Sequence, residues 1–290
     1  MSHKVAMYIG RWSPTHKGHK WIIDKALEEG KRVCIAIRDT PLGDKDPYTY
    51  RQRERMWRLI YGDKVDVMRL PDIESINIGR KVGYEVNRID APAHITDISA
   101  TKVRGGAIDN VPDEAKGYVS LLETTIWFTG MPCAGKTTIA KAAQKRFESA
   151  HCNVVHLDGD VLRDGLCGDL GFSPEDRKEN LRRVGHLAKM FNGRKNLVLA
   201  SFVSPTNELR QMVTGIVGDN MFMVHVKSTS EECADRDVKG MWAKAKAGEI
   251  KGFTGFDAPF EEPTDADLIL DTTQETIEES VEKLCSYFGV

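Results

Sequence analysis

The order of apolar and polar positions switches along the chain between two periods. Short, mainly apolar runs at Val5–Ile9, Arg32–Arg38 and Val65–Leu70, bounded by turn-forming residues, predict buried strands. Between or after them, His19–Glu29, Tyr50–Tyr61 and Gly79–Arg88 space their apolar residues as helices do. The alternation then repeats. Strands are expected at Thr124–Thr129, Asn153–Leu157, Leu197–Phe202, Met221–Val226 and Leu268–Leu270. Helices are expected at Lys136–Ser149, Glu175–Phe191, Thr206–Val217, Ser230–Asp235 and Gln274–Tyr287. Strands that alternate with helices build parallel sheets, so the fold class is α/β with two Rossmann-like parallel-sheet domains.

Gly105, Gly106, Asn110, Pro112 and Gly117 interrupt any regular pattern between the two sets, which predicts a linker within Gly105–Glu123. The expected domains are 1–118 and 119–290. A chain of 290 residues has room for two cores of ordinary size. Hydrophobic residues at 41% and charged residues at 29% fit a soluble globular protein.

Charge narrows the choice of partners. The net charge is −2, with 21 basic and 17 acidic residues up to Ser120 and 20 and 26 after it. Neither half carries the excess that nucleic-acid binding draws on. No apolar stretch is long enough for a bilayer, and Met1–Gly10 does not read as a signal peptide. The six cysteines show no CxxC pair and no zinc-ligand spacing, which suits free thiols in a reducing cytoplasm. Small nucleotides are the expected partners. Whether copies of the chain associate stays open.

The strand Thr124–Thr129 runs into Gly130-Met131-Pro132-Cys133-Ala134-Gly135-Lys136-Thr137, and a helical pattern follows at once. That is a P-loop in its strand–loop–helix setting. Gly130, Cys133, Ala134, Gly135, Lys136, Thr137 and Thr138 are the expected ATP-binding residues. Backbone N–H groups and the helix start meet the phosphates, Lys136 bridges the β- and γ-phosphates, and the Thr137 hydroxyl is the expected magnesium ligand. A P-loop fixes nucleotide binding without naming the acceptor.

Four further segments carry a resemblance. They are Leu157–Asp160, Arg163–Leu166, Asp169–Arg183 and Lys251–Gly255. From about Thr124 to Asp271 the chain resembles the adenylylsulfate kinases, which make 3′-phosphoadenylylsulfate. The resemblance implies ATP as substrate, Mg²⁺ as cofactor and a ribose hydroxyl as acceptor. Such a hydroxyl loses a proton during transfer and needs a carboxylate nearby. Asp160 is the expected base. Asp158 either organises magnesium or its waters, or caps the following helix. By similarity Arg163, Arg177 and Asn180 hold the anionic groups and base of the acceptor, Phe172 and Phe253 enclose its adenine, and Lys251 and Ser204 join that site. A surface ion-pair network for the arginines and core packing for the phenylalanines are the plainer alternatives. The stretch Ala243–Thr254 resembles the family's lid. The chain departs from the family at Pro132-Cys133, Asp164, Thr206-Asn207 and Val238.

In the first half, Gly10-Arg11-Trp12-Ser13-Pro14-Thr15-His16-Lys17-Gly18-His19 follows the first strand and opens a helix. Two histidines three residues apart at a helix start share a face and can both donate to phosphate oxygens. Gly18 lets a phosphate approach the backbone. Ile98–Arg104 reads as a second helix start, capped by Ser99 or Thr101, with Lys102 and Arg104 placed to meet a departing pyrophosphate. The pair of motifs resembles the HxGH nucleotidylyltransferase superfamily. That resemblance implies nucleotidyl transfer with release of pyrophosphate, and nucleotide contacts from Gly10, Arg11, His16, Gly18, His19, Ser99, Thr101, Lys102 and Arg104. The segment between Glu74 and Ile98 is short for that superfamily, so a structural role for this half is the alternative. For the kinase half, the alternatives are another acceptor, such as a cytidine diphosphoramidate, and a nucleotide-sensing module.

Overall fold

A computed structural model describes residues 4–75, 86, 89 and 91–290. The chain divides into two compact units, Met1–Ser120 and Leu121–Val290. The expected helix Gly79–Arg88 lies, apart from Val86, outside the described residues.

In the first unit, β1 (Val5–Gly10), β2 (Arg32–Asp39) and β3 (Asp66–Pro71) form a parallel sheet in the order β1-β2-β3. Gly10 pairs with Ile37 and Ile37 with Arg69, which brings the carboxyl ends of the three strands to one edge. Helices α1 (Lys17–Glu28) and α2 (Tyr50–Tyr61) pack on this sheet. Ile23, Ile35, Ile37, Trp57 and Val65 form the buried core, and Trp12 joins it from the loop after β1. Helix α1 starts two residues earlier than expected, because His16 caps it. Thr49 and Gln52 form a full capping box at the start of α2. Short helices α3 (Ala93–Thr96) and α4 (Ala100–Arg104) follow.

The expected linker is in part a helix. α5 (Asp113–Leu121) buries Ala115, Tyr118 and Val119. Pro112 stands just before its first turn, where its missing N–H costs nothing, and its carbonyl accepts from Ala115 and Lys116. Gly117 is carried within the helix at the modest entropic cost of a helical glycine.

In the second unit, β4 (Thr125–Thr129), β5 (Val154–Asp158), β6 (Leu197–Ser201), β7 (Met221–Lys227) and β8 (Leu268–Asp271) form a parallel sheet in the order β5-β6-β4-β7-β8. The residues of β4 and β6 are all buried, as expected for strands covered on both faces. Helices α6 (Lys136–Ser149), α7 (Gly159–Arg163), α8 (Pro174–Asn192), α9 (Asn207–Val217), α10 (Ser230–Arg236), α11 (Met241–Lys246) and α12 (Ile277–Tyr287) complete the unit. Trp127, Leu181, Val184, Val198, Phe202 and Val213 fill one core layer. Helix α12 begins three residues later than expected, because the Asp271 carboxylate holds Thr273 in a turn and Thr276 with Glu279 forms a capping box. No described helix is long and apolar enough to cross a membrane. β4 sits at the centre, and its neighbours β6 and β7 continue in opposite directions across the sheet. Open sheets of this kind take ligands in the crevice at that point.

Candidate active site

The loop that leaves β4 is held in a conformation few residues tolerate. Gly130 has φ 153°, and a Cβ there would lie 2.3 Å from the Val226 carbonyl oxygen. Gly135 has φ 103° and ends the loop where α6 begins. Between them Cys133 takes φ 68°, a left-handed conformation that costs a β-carbon roughly 1–2 kcal/mol. Ala134 is buried, and its carbonyl accepts from the Thr272 hydroxyl at 3.1 Å.

Lys136 is buried, and its Nζ donates to the carbonyls of Gly130 at 2.9 Å and Met131 at 2.7 Å. Burial lowers its pKa to about 8, against the opposing pull of Cys233, Cys133, Asp160 and Asp158. One residue on, the Thr137 hydroxyl donates to Asp158 Oδ2 at 2.7 Å, while Thr138 is exposed. Burial pushes the Asp158 carboxyl up, but hydrogen bonds from Thr137 and the Asp160 N–H outweigh it and hold the pKa below its ordinary value. The Asp158 side chain accepts from the Asp160 N–H at 3.0 Å, so it also caps α7. Of its two expected roles, the structure shows the cap. Asp160 leaves 68% of its side chain exposed and is ion-paired with Lys239.

A second cluster forms where α7 and α8 face the turn after α11. The Arg163 guanidinium lies 4.3 Å from the Phe172 ring centroid and that of Arg177 6.0 Å from it. Arg163 donates to the Gly171 carbonyl, and Arg177 to the Phe172 and Gly252 carbonyls and the Thr254 hydroxyl. Phe172 is 65% exposed, whereas Phe253 is buried edge-on against Trp242 at 5.1 Å. Asn180 is buried on α8, with its Nδ2 lacking a hydrogen-bond partner. Lys251 is exposed. Ser204 is buried with φ 43°, and its Oγ accepts from the Trp127 indole at 2.9 Å, so this hydroxyl faces β4. Asn207, at one of the departures, accepts from the buried Arg210.

Sequence reasoning missed four residues at this site. Lys239 meets Asp160, Trp242 donates to the Pro132 carbonyl, and Arg236 donates to Thr272, which itself reaches the loop. Only Thr272 had a usable signal, its place just past the carboxyl end of β8.

In the first unit His16 and His19 are brought together. Their rings stack with centroids 3.4 Å apart, and Trp12 meets His19 edge-on. His16 Nδ1 accepts from the His19 N–H at 3.3 Å, which leaves the His16 proton on Nε2. Burial lowers the His16 pKa to about 4. Burial and the neighbouring His16 hold His19 well below its ordinary value. Both rings are therefore neutral at pH 7. His19 Nδ1, Ser13 Oγ and Thr15 Oγ1 are buried without a hydrogen-bond partner. A Cβ on Gly18 would lie 3.1 Å from the His16 ring, and one on Gly10 2.8 Å from Trp12. Arg104 donates to the Ser13 carbonyl at 2.5 Å and to Thr101, which ties α4 to the histidine loop. Ser99 caps α4, and Lys102 Nζ is bound to the Asp97 carbonyl at 2.7 Å. Arg11 pairs with Asp46 at 3.2 Å.

The central glycine-bound loop, its lysine and the hydroxyl–carboxylate pair behind it define the second unit as a P-loop kinase fold. The chain belongs to the adenylylsulfate kinase family, whose sequence model matches residues 122–271. An adenylyl-sulfate kinase of Halothermothrix orenii is 45% identical over 163 residues, 56% of this chain and 88% of that protein. One of Shewanella pealeana is 46% identical over 165 residues, 57% of this chain and 80% of that protein. A solved Mycobacterium tuberculosis APS kinase in complex with AMPPNP and APS is 37% identical, with a TM-score of 0.56 over 58% of this chain and 98% of that one. The cytidylyltransferase-like family model matches residues 7–100.

Proposed function

We propose that the chain transfers the γ-phosphoryl group of ATP to the ribose 3′-hydroxyl of adenylylsulfate, giving 3′-phosphoadenylylsulfate. The observation that carries this reading is the linked series Lys136, Thr137, Asp158, Asp160, which runs from the phosphate loop to an exposed carboxylate. Lys136 and the loop N–H groups hold the β- and γ-phosphates. Thr137 and the ionised Asp158 offer two hard oxygens side by side and would hold Mg²⁺, which neutralises phosphate charge when bound. Asp160 takes the proton of the 3′-hydroxyl as its oxygen bonds to the γ-phosphorus and the bond to the β–γ bridging oxygen breaks. ADP leaves. Arg163 and Arg177 suit the acceptor's anionic groups, and Phe172 offers its base an open aromatic face. Asn180 has an unused buried donor for the same ligand.

The test is ADP release at fixed MgATP with adenylylsulfate or cytidine diphosphate conjugates as acceptor. The expected result is the highest kcat/KM with adenylylsulfate and a product one phosphoryl group heavier. A preference for a cytidine compound overturns the acceptor and leaves the kinase standing.

We propose further that the first unit transfers a nucleotidyl group with release of pyrophosphate. The support is the stacked, neutral His16–His19 pair at the start of α1, backed by Arg104. Neutral imidazoles each keep one N–H for a phosphate oxygen, and His16 offers Nε2. His19→Ala is expected to slow pyrophosphate release from ATP or CTP, with a phosphate-bearing acceptor, by about a hundredfold, the cost of losing one preorganised donor. No turnover across a broad screen, with no nucleotide bound in calorimetry, would assign this unit a structural role.

A further inference from the structure

The first unit carries a cavity that its phosphate motifs do not account for. It measures about 340 Å³ and lies at the carboxyl edge of the sheet, lined by Ile9, Gly10, Arg38, Ile73, Glu74 and Ser75. A buried residue fixes its walls. Arg53 on α2 is fully buried, and its Nη1 donates to the carbonyl of Arg11 at 2.8 Å and to that of Arg38 at 2.9 Å. One guanidinium therefore holds the loop that leaves Gly10 to the end of β2. That loop goes on to His16 and His19, so a molecule in the cavity has one end at the histidine loop.

The charges at this edge are unequally matched. Arg38 Nη2 donates to Asp72 Oδ1 at 2.5 Å and to the Ile73 carbonyl at 3.3 Å, and Asp39 is ion-paired with Arg69. Arg38 Nε is buried without a hydrogen-bond partner, which leaves one N–H for an oxygen of a bound molecule. Glu74 is exposed and has no ion pair or hydrogen bond among the described residues. The uncompensated charge of the lining is therefore one carboxylate. Beside it stand the apolar side chains of Ile9 and Ile73. The volume lies at the low end for a ligand site, which suits a chain of a few carbons better than a second nucleotide.

We propose that this cavity is the acceptor subsite of the first unit, and that the acceptor is a small zwitterion: a phosphomonoester on a short carbon chain that ends in an ammonium group held by Glu74. The inference rests on the nucleotidyl-transfer reading above and names its substrate class. An oxygen of the acceptor phosphate bonds to the α-phosphorus of the triphosphate, the bond to the α–β bridging oxygen breaks, and pyrophosphate leaves with that electron pair. The ammonium takes no part in the step. Glu74 sets specificity in both directions, because the carboxylate that attracts an ammonium repels an acceptor ending in a carboxylate.

Pyrophosphate release by the full chain from CTP or ATP tests this with acceptors that differ at the far end: 2-aminoethyl phosphate, 2-hydroxyethyl phosphate and phosphoglycolate. The ammonium compound is expected to exceed the hydroxyl compound in kcat/KM by about tenfold, the size of one charge-assisted hydrogen bond, with phosphoglycolate last. In Glu74→Gln, which keeps the shape of the side chain, the first two should come within about twofold of each other. Glu74→Lys should turn the preference toward phosphoglycolate. An ammonium preference that survives Glu74→Gln overturns the proposal. Turnover confined to phosphomonoesters without an ammonium group also overturns it and leaves nucleotidyl transfer standing. If no phosphomonoester in a broad screen releases pyrophosphate, that reading falls instead, and calorimetry with the same three compounds decides the subsite. The ammonium compound must then bind at least about fivefold more tightly than the hydroxyl compound to the parent chain and not to Glu74→Gln, and equal binding overturns the proposal.

Discussion

Asp160→Asn should remove about 10²- to 10⁴-fold of the phosphoryl-transfer rate, the range that a positioned general base contributes. The amide keeps the shape of the carboxylate and can still accept a hydrogen bond from Lys239, so the turn at Asp237–Gly240 keeps a partner. It cannot take a proton from a hydroxyl. Asp158 and Thr137 keep their hydrogen bonds, because Asp158 reaches residue 160 through the backbone N–H alone, and Lys136 keeps both carbonyl partners and loses only the weaker pull of a distant charge. ATP affinity, measured by calorimetry with Mg²⁺, should therefore stay close to that of the parent chain while kcat collapses. A folded variant with ATP affinity intact and less than a tenfold loss of kcat would show that another group accepts the proton.

The parts of this site that were legible in the sequence are those whose chemistry is local. A phosphate loop needs glycine at Gly130 and Gly135 because φ is positive there, and a lysine and hydroxyl next to the helix start, so eight consecutive residues reveal it. The capping role of Asp158 was likewise readable from its place between β5 and α7. Contacts made across the fold were not. Lys239 reaches Asp160 from 79 residues away, and nothing in the order of residues announces that pairing. The two phenylalanines show the same limit. Phe172 and Phe253 each follow a glycine, yet one lies open beneath two arginines and the other is closed by Trp242.

Glycine and proline also misled where they should have guided. Gly105, Gly106, Pro112 and Gly117 suggested a continuous linker, but breakers act at helix ends and only weakly inside. A proline before Asp113 begins a helix, and the burial of Ala115, Tyr118 and Val119 outweighs the glycine within it. In the first unit the two histidines were expected to share a face. Their stacking and joint neutrality depend on burial under Trp12, which tertiary packing alone supplies.

Lys136→Ala is expected to lower phosphoryl transfer by about 10²- to 10³-fold, the cost of removing a buried donor aimed at developing charge. The effect should stop at the kinase unit, since the histidine loop lies in a separately packed unit with its own core. Pyrophosphate release by the first unit should persist. The lowered pKa of Lys136, about 8, gives this residue a second signature. Its folded value lies below the ordinary lysine value of 10.5, so folding disfavours the cation. That penalty is present below pH 8 and is relieved as pH rises from 8 toward 10.5. A bound triphosphate reverses the preference, because anionic oxygens beside the ammonium favour the charged form. At pH 8 about half of the free protein holds a neutral Lys136, so ATP binding should take up about half a proton. The uptake should vanish near pH 6.5, where the lysine is already charged, and nucleotide affinity should weaken as pH rises above 8. Calorimetry in buffers of different ionisation enthalpy measures the uptake, and Lys136→Ala should abolish it at every pH. An uptake that survives the substitution would move the proton to another group. Loss of both activities in a folded Lys136→Ala protein would rule out independent sites.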